Sequence, residues 1–233
     1  MITSRREKLR AATRDEIKAA ARALMAQHGS AGLSVRAVAR QMGLSAPAIY
    51  HYYASLDDLI TALIVDAFNA LANALEMARD AHAGQSPLHQ LEAVLLAYRH
   101  WAVAHPTDFQ LIYGSPIPNY HAPREVTVPA VIRGFAIIVG LIEAALQAGD
   151  VVPAPPYDAV PELLASHLQA MIARDGYPVS EMTLYMGVVG WTQLHGIIML
   201  ELFNHLQSVV GDVDAYYAEQ VRCLFHIMGL RSS

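Results

Sequence analysis

Residues 34–53 read SVRAVARQMGLSAPAIYHYY, and this stretch decides how the chain begins to fold. Ser34 is a good N-cap. Val35, Val38, Ala39 and Met42 repeat at three- and four-residue spacing, which predicts a helix over 35–42 with one apolar face. Gly43 ends that helix, Leu44 is an apolar turn residue, and Ser45 caps a second short helix expected over 46–53. Pro47 falls in its first turn, where the missing N–H does no harm. Two short helices joined by Gly43-Leu44-Ser45 have the length and turn chemistry of a helix-turn-helix. Upstream, Thr13 and Glu16 have capping-box spacing, so a helix is expected from about Arg14, with Ile17, Ala20, Ala21 and Leu24 as its stripe and Gly29 as its stop.

The charge pattern agrees with a nucleic-acid-binding head. Residues 1–53 hold nine Lys and Arg against three acids, whereas the other 180 residues hold seven against eighteen. A basic head on an acidic body is the footprint of a module that binds a polyanion locally. The second helix of a helix-turn-helix puts its N-terminal residues against base edges in the major groove. Here that helix carries Ala46, Pro47, Ala48, Tyr50, His51 and Tyr52. Small residues allow close approach and can touch a thymine methyl, while tyrosine hydroxyls and the helix N-termini at Ser34 and Ser45 can donate to phosphates. Tyr50 to Tyr53 are four consecutive ring residues, so they cannot all enter one core. The alternative is a plain three-helix packing unit with a tyrosine-rich surface.

Residues 32–53, followed by Asp57-Asp58-Leu59-Ile60, resemble the DNA-binding domain of the tetracycline-repressor (TetR) family, without a gap from about Ala12 to Ile60. The resemblance implies that Arg36 contacts DNA from the second helix, and that Pro47, Ala48, Tyr50, His51 and Tyr52 lie on the recognition helix. Tyr50 and Tyr52 would then meet phosphate or sugar, with Ala48 and His51 nearer the bases. One position departs from the family: Leu56 stands where a phosphate-gripping lysine is usual. The basic segment 1–12, with Arg5, Arg6, Lys8 and Arg10, is either an arm laid against the duplex or a solubilising tail.

The rest of the chain reads as helical throughout, giving an all-α protein with a head over 1–55 and a larger effector-binding and dimerisation domain over 56–233. Helices are expected over 55–81, 86–104, 107–113, 124–148 and 158–173, separated by Pro-rich loops at 114–123 and 149–157. Two more are expected over 180–210 and 212–229. No charged residue occurs from Met182 to Leu200. A membrane span is one reading of that run. The other is a helix buried on both sides, by its own core and by a partner subunit. Thr183, Thr192, Gln193, His195 and three glycines favour the second, so no membrane is expected. The family resemblance implies a homodimer through these last two helices, bound to a palindromic operator and released by a small molecule.

Helices 86–104, 107–113, 124–148 and 158–173 are expected to enclose the ligand, which few nearby charges makes mostly apolar. The candidates are Tyr98, Trp101, Phe109, Tyr113, Phe135, His167 and Met171, with Arg99 and Arg133 available to an acidic group. Trp191 and His195 share a helix face and are two further ligand candidates, the alternative being a ring that fills core volume and a buried histidine bonded to backbone. The segment 191–202 resembles the TetR subgroup marked by a Trp…His-Gly motif. Eleven histidines include no HExxH and no i,i+4 pair, and there is no Gly-rich phosphate loop or GxSxG elbow. No metal, cofactor or catalytic activity is therefore expected. Cys223 is the single cysteine, so no disulfide framework exists. The polar start carries no signal-peptide pattern, and the cytoplasm is the expected compartment.

Overall fold

The computed structural model describes residues 5–230. Among them it has eleven α-helices: α1 (Arg5–His28), α2 (Val35–Gln41), α3 (Ala46–Tyr50), α4 (Leu56–Ala81), α5 (Pro87–Ala104), α6 (Pro106–Tyr113), α7 (Arg124–Ala148), α8 (Glu162–Asp175), α9 (Glu181–Leu202), α10 (Gln207–Val210) and α11 (Val213–Met228). The only β pairing among the described residues is an isolated bridge between Val151 and Leu230. The all-α expectation is met.

Two compact units emerge. The first comprises the chain up to Phe68 and residues 105–130, and the second comprises 69–104 and everything after 131. Helices α4 and α7 contribute residues to both.

In the first unit, Ile17, Ala21, Val38, Ile49 and Leu63 are fully buried and form one apolar cluster. Phe68 meets Tyr113 edge-on at 5.7 Å, and Thr61 and Tyr120 hydroxyls lie 2.9 Å apart. The first helix begins nine residues earlier than expected. Thr13 is not its cap: the Thr13 hydroxyl donates to the Leu9 carbonyl one turn back, inside the helix. Residues 5–12 of the basic segment are therefore helical and exposed, and residues 1–4 lie outside the described residues.

The second unit is built around α9. A Cβ on Gly187 would fall 2.6 Å from a Val139 methyl on α7, and one on Gly190 would fall 3.3 Å from Leu224 on α11. Glycine there lets three helices approach closely. The expected helix over 180–210 is interrupted, because Asn204 turns the chain at φ 59° before α10 begins. The expected helix from Asp158 starts only at Glu162, and Gly176 stops it in the left-handed conformation.

Arg99 and Arg133, expected to be open to an acidic ligand, are already paired. Arg99 forks onto buried Glu201 with two bonds of 2.6 Å and also pairs with Asp214. Arg133 forks onto Glu76 at 2.9 and 2.6 Å and reaches Asn69 and Asn73. These bidentate pairs join α5 to α9 and α7 to α4 with fixed geometry.

At the end of α11, Gly229 adopts φ 77°, and the Leu230 N–H returns to the Phe225 carbonyl. A Cβ on Gly229 would lie 1.9 Å from the Val152 carbonyl oxygen. Gly229→Ala is expected to lower stability by roughly 2–3 kcal/mol, from left-handed strain plus backbone displacement, read as a lower denaturant midpoint at unchanged m. A neutral substitution would show that the 150–154 loop does not hold this position.

Candidate nucleic-acid interface and ligand cavity

The reading head is anchored from below. Ser34 caps α2, its hydroxyl accepting from the Ala37 N–H at 3.2 Å. Gly43 makes the turn at φ 66°, and the Leu44 N–H returns to the Ala39 carbonyl. Ile49 and Tyr53 are buried, which fixes the rotation of α3 about its own axis. The four rings divide as their crowding requires. Tyr53 enters the core under the Arg14 guanidinium at 4.6 Å, Tyr52 packs half-buried, and Tyr50 and His51 face solvent.

Arg36, Ser34, Ser45 and Pro47 are exposed beside them, and Ala46 and Ala48 are half-buried. Ser45 makes no side-chain cap bond. The nine basic residues also divide. Lys18 bonds Asp66 at 2.6 Å and Asp15 at 2.9 Å, and Arg22 bonds Asp108 at 2.8 Å. These two serve the fold, whereas Arg5, Arg6, Lys8, Arg10, Arg36 and Arg40 remain on the surface. Leu56 packs half-buried against the apolar cluster, so its side chain serves packing at a position where charge is usual.

The nine ligand candidates do not gather in one place. Phe109 and Tyr113 belong to the core of the first unit, with rings 5.1 Å apart. Phe135 and Met171 lie in a satellite cluster, Phe135 edge-on to Tyr177 at 5.9 Å. His167 is exposed on α8, and Trp101 is buried in α5. Tyr98, Trp191 and His195 do meet. The Tyr98 hydroxyl lies 2.8 Å from His195 Nδ1, and the Trp191 and His195 rings are 5.2 Å apart.

Tyr98 and Trp191 line a partly open apolar cavity of about 20 Å³ between α5, α7, α9 and α11. This differs from the expected enclosure, because α6 and α8 contribute nothing and the last two helices do. Of the sequence candidates only Tyr98 and Trp191 line it, and its remaining wall, with Met186, Leu224 and Met228, carries no local pattern that marks a cavity. Two other polar sites were also missed, the Glu201 partner of Arg99 and the Glu143 site. Glu143 is partly buried, which opposes ionisation, yet bonds from Thr183 and Ser180 hold its carboxyl below the ordinary range.

The comparisons agree with this architecture. Residues 17–63 match the description "Bacterial regulatory proteins, tetR family", and residues 91–224 match "Tetracyclin repressor-like, C-terminal domain". The chain is 33% identical over 202 residues to HTH-type transcriptional regulator Rv1816 of Mycobacterium tuberculosis, with 86% of each chain covered. The crystal structure of regulatory protein SCO4313 superposes with a TM-score of 0.77 at 30% identity, covering 96% of this chain and 100% of that one. A Rhodococcus sp. RHA1 protein shares the fold at TM-score 0.70 and 23% identity, over 93% and 95% of the two chains. The fold and the reading head together define a helix-turn-helix regulator of transcription. The chain belongs to the TetR family and is a DNA-binding regulator.

Burial holds the His195 pKa below the ordinary value of 6.5, so the folded state favours the neutral ring. Unfolding restores the ordinary affinity for a proton. The resulting stability is full above about pH 6.5 and is lost as pH falls toward the lower folded value. Thermal midpoints measured down from neutral pH should fall less steeply for His195→Gln than for the parent. Parallel curves would refute this.

Proposed function

We propose that the protein is a cytoplasmic homodimeric repressor that places residues 46–52 of each subunit in a major groove and leaves its operator when a mostly apolar small molecule binds. The observation that carries this reading is the division of α3: Ile49 is fixed in the core while Tyr50 and His51 project beside exposed Arg36. In this reading Arg36, Tyr50 and Tyr52 hold phosphates, and Ser34 and Ser45 mark helix N-termini whose backbone donors face the duplex. Ala46, Pro47, Ala48 and His51 approach the bases.

The dimer uses α9 and α11, which leave Leu200 and Ile227 each 47% exposed, beside Phe203 at 51%. Such side chains at the edge of an uncharged helix support burial by a second copy. Two-fold symmetry then requires a near-palindromic operator. The Trp191, His195 and Gly196 motif marks the branch of the family to which we assign the chain, and Trp191 at the cavity wall supports a place for the effector there. The ligand biases an equilibrium between DNA-binding and released dimers, and α4, which has residues in both units, is the element we assign to carry the change. We assign no catalytic role to any residue, in keeping with relatives named as regulators. Helices α4 and α7 are long and apolar enough to cross a membrane, but 50% and 44% of their apolar windows lie buried within the protein, which supports a core role.

Operator selected from random DNA should be an inverted repeat, and light scattering should return twice the chain mass of 25.4 kDa. Arg36→Ala is expected to weaken binding and lower the salt slope by about 1, and Leu56→Lys to tighten it with a slope steeper by about 1. Selection without an enriched repeat would instead favour a helical ligand-binding adaptor that no longer reads DNA.

A further inference from the structure

The interior cavity has a direction. Along α5, Leu91, Leu95 and Tyr98 form one stripe of its wall, and Met186, Gly190 and Leu224 face them from α9 and α11. The seven helical steps from Leu91 to Tyr98 span about 10 Å at about 1.5 Å per residue. The void between them is only about 20 Å³, room for roughly one water, so it is a narrow seam rather than a chamber. Its inner end is the one at Tyr98, whose hydroxyl is bonded to the half-buried His195 ring.

The outer end has a different character. One further step along the same α5 stripe, Leu88 lies in a surface groove of about 450 Å³ with His89, Glu92, Arg222 and His226. Phe225 and Leu230 line both the seam and this groove, so they form the partition between them. Leu230 is held by backbone bridging to Val151, and the Val152 N–H donates to the Gly229 carbonyl at 3.2 Å. Leu230 therefore hangs on backbone bonds just past the end of α11, whereas Phe225 sits within that helix. An apolar seam beside a groove of mixed lining, with His89, Glu92, Arg222 and His226 at its polar side, matches a molecule with an apolar and a polar part in that order.

We propose that the effector is a slender single-chain amphipath, with an aliphatic tail threaded along the seam to Tyr98 and a hydrogen-bonding head left among Arg222, His89 and His226. The tail enters by displacing Leu230 and Phe225. The two methionines in the wall, Met186 and Met228, have the flexible side chains that allow a seam to widen around a chain. A compact polycyclic ligand of equal carbon content would have to separate α5 from α9 along its full width. This proposal rests on the reading of the cavity as the effector site and adds the shape of the ligand and its route.

The test uses the full-length dimer, the straight-chain alcohols from hexan-1-ol to dodecan-1-ol, and 1-adamantanol, which has the carbon count of decan-1-ol. Binding is read by thermal shift and by Trp191 emission in a Trp101→Phe background. Affinity is expected to rise about fourfold for each added methylene, as about 0.8 kcal/mol per buried CH₂ implies, and to level off once the tail reaches the inner end. Decan-1-ol should bind at least tenfold tighter than 1-adamantanol. Leu230→Ala should speed both association and release. Equal or tighter binding of 1-adamantanol would overturn the slender-ligand proposal and leave the effector cavity standing. Unchanged rates in Leu230→Ala would overturn the route. If neither class binds at saturation, the cavity is not the effector site and both readings fall.

Discussion

The larger unit depends on the burial of α9. A helix with no charge from Met182 to Leu200 needs neighbours to cover most of its surface, and only Thr192, Gln193 and Leu200 of that run are exposed. Glycine at 187 and 190 lets α7 and α11 come close enough to do so, with no Cβ in the way of Val139 or Leu224. Once α9 is surrounded by α5, α7 and α11, most other features of the unit are consequences. Side chains long enough to reach across, such as Tyr98 and Trp191, leave the seam between them. Polar groups drawn inside must find partners, as His195 does on Tyr98 and Thr183 on Glu143.

Charges are placed where that buried helix ends. Glu143 receives the Ser180 N–H and hydroxyl at its start, at 3.0 and 2.9 Å. Arg99 holds Glu201 at its finish. A lone buried Glu201 would be strongly unfavourable, and the Arg99 fork makes its burial tolerable while fixing the register of α5 against α9. Arg99 also lies over the Tyr217 ring at 5.6 Å, and the Tyr217 hydroxyl donates to the Leu95 carbonyl, so α11 is tied to the same stretch of α5. The apolar middle supplies burial energy without orientation, and the polar ends supply orientation.

What could be read from the sequence follows the range of the physics involved. The helix-turn-helix was legible because its signals are local: Ser34, Gly43 and Pro47 act within a turn of themselves. The rotation of α3 was not, because the choice of Tyr53 over Tyr50 for the core depends on where α1 lies. Thr13 misled, since a hydroxyl three residues before a glutamate satisfies a capping box and a mid-helix bond to Leu9 equally well on paper. The pairing of Arg99 with Glu201 spans 102 residues, and no local pattern announces it. Ligand candidates chosen by residue type scattered for the same reason. Phe109, Phe135 and Trp101 are large rings that fill space, and only tertiary packing decides whose side of a void they occupy.

The near-closure of the seam bears on regulation. Space for about one water means that the ligand-free packing is already close to that of a protein interior, so a ligand cannot bind without moving the walls. Two of those walls belong to α9 and α11, which also carry the exposed Leu200 and Ile227 that the proposed dimer would bury. In a roomy preformed pocket, binding and dimer geometry could be independent. In the dimer we propose, inserting a ligand into so tight a seam would displace the helices that pair the subunits, and differential affinity for two dimer states would follow.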